Sequence, residues 1–490
     1  MLIAKQTTLL KKQATCILLA LIADVLFYQQ PVGWTAGLYA ALVFTMLVVF
    51  NRHLLHTSAS KIIGLGVATL IVELVESPGL LPILIDGLGL MTLITLQKRK
   101  DLASATLWIK DIALFVERGG WQWYRDCKAI KRISKNKVLD KVNYSFAVMP
   151  VTLTLAFSIL FILANPIIEK VLSGLNWQLL NPFISYSRWL FWFLISLTLW
   201  MMLRPRFLLA KEIVLGQPIN LDRWLNKQTI ILSLALFNGL FFIQNGLDIV
   251  FLWHDEDLPM GVTYAEYAHA GFYSLLAINL LTSAFVLLTF GDHRQAFQTE
   301  IAKILVFVWL GQNIFLTLSA INRLLHYIEA YSLTYLRIAA LMGMALTAIG
   351  LVLIFARIQG NRRNLWLINA NAIALTATLY GVCFINMDRI IANYNVRHCL
   401  EVTGLGSNID LPYLQSLGPE SLPALRWFQV NAKYSPVQAS KAGELITNLD
   451  NQLSVESANW RAWTWRKQRQ LATNALTLKP EPIGTSGWRY

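Results

Sequence analysis

Charged residues are scarce in this 490-residue chain, at 14% against 56% apolar. A soluble globular domain carries about 25% charge, so the shortage excludes an ordinary set of soluble domains. A mean hydropathy of +0.49 makes lipid the solvent for most of the sequence. Acids are short as well, 28 against 42 Lys plus Arg, for a net charge of +14. In a soluble protein that balance points to nucleic acid; in a membrane chain each charge is first sorted by the side it occupies, and the sorting removes the nucleic-acid reading. There are four cysteines, Cys16, Cys127, Cys383 and Cys399. With no CxxC spacing among them, neither a disulfide framework nor a thiolate zinc site is expected, and a link between Cys383 and Cys399 stays open. No small-residue cleavage site follows the first apolar run, so that run reads as a retained span.

What the chain has is long apolar runs. A helical span needs roughly 17 to 25 mostly apolar residues, and the runs place spans near 13–28, 33–50, 61–75, 80–96, 143–165, 186–203, 228–252, 269–290, 302–321, 336–356 and 365–385. With the N-terminus inside, the inner segments hold 27 Lys plus Arg, while the outer ones hold four: Lys170, Arg188, Arg323 and Arg337. Such asymmetry orients the chain with a cytoplasmic N-terminus. The 16 tyrosines, 17 tryptophans and 24 phenylalanines suit two membrane interfaces and the packing between them. They carry no cofactor signal.

The expected fold is all-α, a polytopic transmembrane bundle of about eleven spans with a small C-terminal helical extracytoplasmic domain. It divides into residues 1–142, the N-terminal spans with a basic cytoplasmic segment; 143–386, the membrane core; and 387–490, a soluble helical tail. The inner segment 98–141 contains RDCKAIKRISKNK, which reads as topological retention plus attraction to anionic lipid head groups. In the tail, Asp410 is placed to cap a helix through LPYLQSL, Gly418 and Pro419 end it, and further helices follow through PALRWFQV, 437–453 and 456–474.

Ionisable groups inside spans are costly and mark candidate sites. Asp24, Glu73, Asp86 and Asp248 stand out. Asp248 shares its span with Asn238, Gln244 and Asn245, spaced to form one polar stripe on an apolar helix. The stripe is either glue between helices or the wall of a hydrated cavity. The next outer connection, WHDEDLPMGVTYAEYAHAGFY, brings Tyr264, Glu266 and His269 to one membrane face, and INRLLHYIEAYSLTYLR adds Arg323, His326, Glu329, Tyr331 and Arg337. These are residue types that supply a general base, an anion-binding arginine pair or a hard-metal site, or simply a structural pair such as Arg337 with Glu329. Their spacing is too loose to choose, so no catalytic residue, metal or cofactor is assigned.

Four runs, YAEYAHAGFYSLLAINLL at 264–281, EAYSLTYLR at 329–337, INMDRIIANYN at 385–395 and DLPYLQSLGPESLPAL at 410–425, followed by WRAWTW at 460–465, resemble in order and spacing a bacterial family of multi-spanning inner-membrane proteins known as domain of unknown function 4173. The resemblance spans roughly residues 180–475. Tyr264, Glu266, Tyr267, Gly271, Glu329, Tyr331, Arg337, Asn386 and Asn395 stand at its motif positions, and His269 stands where arginine is more usual. It implies a bacterial inner-membrane location and no activity. The leading functional expectation is a transport or ligand-responsive membrane protein with an outer polar vestibule. A non-catalytic assembly or signalling partner acting through the tail is the second, and a lipid-linked transferase the third. The partners expected are membrane lipid and a protein reached through the tail. An enzyme is less expected than not.

Overall fold

The computed structural model describes residues 2–51, 53–97, 104–135, 185–205, 226–253, 277–278, 281–286, 289 and 300–477. Among these every regular element is helical. The chain forms α1 (Leu2–Phe27), α2 (Thr35–Phe50), α3 (Ser58–Glu76), α4 (Leu80–Leu96), α5 (Ala105–Lys135), α6 (Tyr186–Leu203), α7 (Lys227–Leu252), α8 (Glu300–Tyr331), α9 (Tyr335–Gln359) and α10 (Asn364–Cys383). The tail adds α11 (Met387–Arg397), α12 (Leu400–Thr403), α13 (Leu411–Ser416), α14 (Leu422–Asn431), α15 (Pro436–Ala458) and α16 (Trp465–Thr477). By length and composition α3, α6, α7, α8, α9 and α10 can cross a membrane; α2 and α4 are shorter apolar helices. The sequence-predicted span at 143–165 lies outside the described residues.

Local chemistry sets the ends. Thr57 accepts from the Ser60 backbone N–H at 3.1 Å and Ser60 returns the bond to the Thr57 N–H at 3.0 Å, a reciprocal cap that starts α3. Asn226 Oδ1 accepts from Thr229 N at 2.8 Å to start α7, and Asp410 Oδ1 accepts from Tyr413 N at 2.9 Å to start α13, as its sequence position implied.

The chain packs as two compact units. The first comprises residues 1–78, 86–102 and 107–211. Its core gathers Leu19, Leu47, Val67, Leu93, Phe115 and Trp200. Here α2 and α3 approach so closely that a Cβ on Gly37 would lie 2.5 Å from Val75 Cγ2 and 2.8 Å from the Ile71 carbonyl oxygen. Asp24 is neutralised in this unit: Arg188 pairs with its carboxylate and Trp192 Nε1 donates to it at 2.9 Å.

The second unit comprises residues 79–85, 103–106 and 212–490. Asn238 Nδ2 donates to the Leu305 carbonyl at 3.0 Å and Asn245 Nδ2 to that of Gln312 at 3.2 Å. The separation is 67 residues in both cases, so α7 and α8 run parallel and in register. Two parallel neighbours require the chain between them to return. Residues 281–286 of that return meet α8 in reverse order: Thr282 Oγ1 donates to Asn313 at 3.2 Å, Phe285 meets Trp309 edge to face, and Val286 joins Val306 in the core.

A second core in this unit continues from α8 and α9 into the tail. Leu324, Ile328, Leu333 and Met344 bury together with Ile391, Leu414, Leu425, Phe428 and Leu449. The short helices after Met387 thus close over the turn between α8 and α9.

Candidate functional site

The polar stripe of α7 faces α8. Asp248 is 2% exposed and Asn245 8%. Asp248 Oδ1 accepts from Gln244 Nε2 at 3.1 Å and pairs with the Arg323 guanidinium. Arg323 was expected in an outer connection. Instead α8 continues without a break to Tyr331, and arginine, whose Cβ points toward the helix N-terminus, reaches back to the carboxylate. The stretch INRLLHYIEAY was misread as a connection because its His, Arg and Glu lower local hydropathy while leaving helix propensity intact.

Three acceptors on this seam, Asn245 Oδ1, Asp248 Oδ2 and Gln312 Oε1, are buried and receive no hydrogen bond from the described residues. Deeper along it, Asn238 Oδ1 and Trp309 Nε1 are likewise unmatched. Asn313, which the sequence reading missed, is satisfied: its Nδ2 donates to the Trp309 carbonyl at 2.7 Å. Its signal was present as a second polar residue beside Gln312 in an apolar run.

The other predicted site residues divide. His326 Nδ1 lies 3.4 Å from Glu329 Oε2, with Glu329 67% exposed. Arg337 does not neutralise Glu329. Its guanidinium donates to the carbonyls of Tyr331 and Ser332 and stacks on the Tyr327 ring at 4.2 Å. A helix C-terminus offers carbonyls that lack intrahelical partners, and Arg337 satisfies those of α8. Tyr331 packs its ring on Tyr327. Tyr264, Glu266 and His269 lie outside the described residues, as do the acids at 255–257. Among the described residues no cluster of three or more His, Cys, Asp or Glu side chains forms a metal-binding group.

The remaining motif asparagines act as ties. Asn395 receives the Leu333 N–H on Oδ1 at 2.7 Å and donates to the Leu333 carbonyl at 3.0 Å, so it reads as a strand partner for one residue of the α8–α9 turn. Ser332 and Ser407 share a hydrogen bond at 2.8 Å, and Tyr335 Oη donates to Asp388 at 2.5 Å. Gly406 makes this approach possible: at φ +90° a Cβ would sit 2.7 Å from the His398 carbonyl oxygen. Asn386 Nδ2 donates to Glu420 at 2.6 Å, yet burial pushes that carboxyl above the usual carboxylate range. Burial, assisted by Glu401, pushes the Cys399 thiol up to about 12. The link left open between Cys383 and Cys399 is not formed; each sulfur donates to a backbone carbonyl at 3.3 Å.

Apolar helices of spanning length, with a buried charge pair and polar side chains turned inward between them, define an integral membrane protein of the all-helical class. The chain belongs to the family described as Domain of unknown function (DUF4153), whose model matches residues 14–427. This corrects the resemblance to domain of unknown function 4173: the matching family is a different one, and its match takes in residues 14–180, where the quoted motifs gave no purchase. No curated protein and no solved structure matches the chain.

Proposed function

We propose that the protein is a membrane-embedded transport or ligand-responsive protein whose site is the α7–α8 seam around Asp248, Asn245, Gln312 and Arg323. One observation carries this reading: three buried oxygen acceptors without donors among the described residues lie along a seam that also holds a charge pair. Each unmet buried acceptor costs about 1–3 kcal/mol. A ligand that brings N–H or O–H donors, or a cation, recovers that energy, whereas an apolar one does not. In this reading the helices belong to a bundle of about eleven spans in a bacterial inner membrane, with the N-terminus cytoplasmic and the tail extracytoplasmic.

The test is thermal stability of the detergent-purified protein with a panel of alkali cations, small amines and small anions. A stabilising shift in the wild type that disappears in Asn245→Leu and Gln312→Leu supports the site. Shifts that persist in both variants place binding elsewhere.

A second reading, an assembly or signalling partner, is favoured by the clasp of Asn395 on Leu333. It couples anything bound to residues 387–477 to the end of α8, the helix that carries Arg323. A partner that co-purifies with the full chain and is lost on removing residues 387–490 supports it.

A further inference from the structure

Helix α5 has two faces of different character within the first unit. One face is packed: Asp126 pairs with Arg204 at 2.6 Å and accepts from Trp200 Nε1 at 3.3 Å. Gln122 donates to the Arg204 carbonyl, and a Cβ on Gly119 would meet Met201. These contacts pin α5 to the end of α6. An apolar helix of 18 residues is about 27 Å long, close to the thickness of a bilayer's hydrocarbon core, so its last residues mark where the chain leaves the hydrocarbon.

The opposite face is apolar and uncovered. Ile109, Ala113, Val116 and Gly120 follow one another at spacings of four, three and four, which puts them on one side of a helix. All four are exposed, Ile109 at 59% and Val116 at 50%. Lys110 and Glu117 flank the stripe on one side, Arg118 and Arg125 stand further round the helix toward its packed face, and the sequence of α5 holds seven Lys or Arg against three Asp or Glu. An amphipathic helix with an exposed apolar stripe, a net positive charge and a fixed position at the end of a spanning helix has the chemistry of one lying in the membrane interface. Its charge complements anionic head groups.

We propose that α5 is an interfacial lipid-binding helix, with the Ile109–Gly120 stripe sunk to the acyl boundary of the bilayer and the helix's excess of basic residues drawing anionic lipid phosphates. The inference is independent of the function assigned to the α7–α8 seam.

The experiment uses the full chain with Cys16, Cys127, Cys383 and Cys399 replaced by alanine, carrying one fluorophore-labelled cysteine as Ile109→Cys, Val116→Cys or, as an exposed reference, Glu444→Cys. The protein is reconstituted in vesicles containing brominated phosphatidylglycerol or brominated phosphatidylcholine. The expected result is strong quenching at 109 and 116, weak quenching at 444, and stronger quenching by the anionic lipid. The combined variant Lys110→Gln, Arg118→Gln, Arg125→Gln loses the preference for the anionic lipid but keeps the quenching. Quenching at 109 and 116 no greater than at 444 overturns the interfacial placement. Equal quenching by both lipids in the unmodified helix overturns the head-group assignment.

Discussion

Removing one member of the Asp248–Arg323 pair should cost far more than removing both. Asp248 is 2% exposed and Arg323 10%, so the pair is shielded from water. Breaking a buried pair from one side leaves an isolated charge and typically costs about 3–5 kcal/mol, whereas replacing both partners by apolar residues is often neutral or stabilising. Arg323→Leu leaves the carboxylate with Gln244 as its described donor, an amide that cannot balance a full charge in a low dielectric. Asp248→Leu removes the carboxylate with which the buried guanidinium pairs. Each single variant should therefore lose about 3–5 kcal/mol, and the double variant should return to within about 1 kcal/mol of the wild type. That gives a coupling of at least about 3 kcal/mol, well above the roughly 0.6 kcal/mol of an ordinary interhelical hydrogen bond in a membrane protein. The assay is a double-mutant cycle measured by unfolding in mixed detergent micelles. Additive single effects, each below about 1 kcal/mol as for a solvent-exposed pair, would refute the claim that the seam is shielded.

Further outcomes follow from the same geometry. Asn395→Ala removes both hydrogen bonds to the buried Leu333 backbone and should destabilise by roughly 2–4 kcal/mol; amide hydrogen exchange should rise first in residues 332–334 and α11. Glu420→Gln keeps an oxygen for Asn386 but removes a carboxyl whose folded pKa lies above its unfolded one. The unfolded state then binds fewer protons, so the wild type loses stability as pH rises from the unfolded pKa through the folded one. The variant should melt higher at neutral pH, with the difference vanishing in acid. Gly37→Ala forces a Cβ into the Ile71 backbone and Val75 and should cost about 1–3 kcal/mol by overpacking, read as a lower melting temperature.

The helices were legible wherever apolar residues run unbroken. The predicted spans 33–50, 80–96, 186–203 and 228–252 match α2, α4, α6 and α7 to within two residues, because lipid solvation imposes a length that composition records directly. The same rule failed at α8, whose last ten residues are polar enough to read as a connection and therefore hid the Arg323–Asp248 pair. The tail's helices were legible from Asp410, Gly418 and Pro419, which act through local backbone chemistry. Its burial against α8 and α9 was not, since nothing in a sequence states which apolar faces meet. Of the candidate site, the stripe on α7 was visible as spacing, but its partner face was not. Arg337 was chosen for its charge and turned out to serve backbone carbonyls, a role that depends on where a helix ends.

The central claim is that the α7–α8 seam admits a polar ligand, and so must open to water. The most direct measurement is modification by a charged thiol reagent in membrane vesicles of Asn245→Cys, in a background with the native cysteines replaced by alanine, against Leu240→Cys on the exposed apolar face of the same helix. The account predicts that position 245 reacts and position 240 does not, and that a stabilising ligand protects position 245. If position 245 is as inert as position 240, the seam is closed to water and its polar groups hold helices together without binding anything.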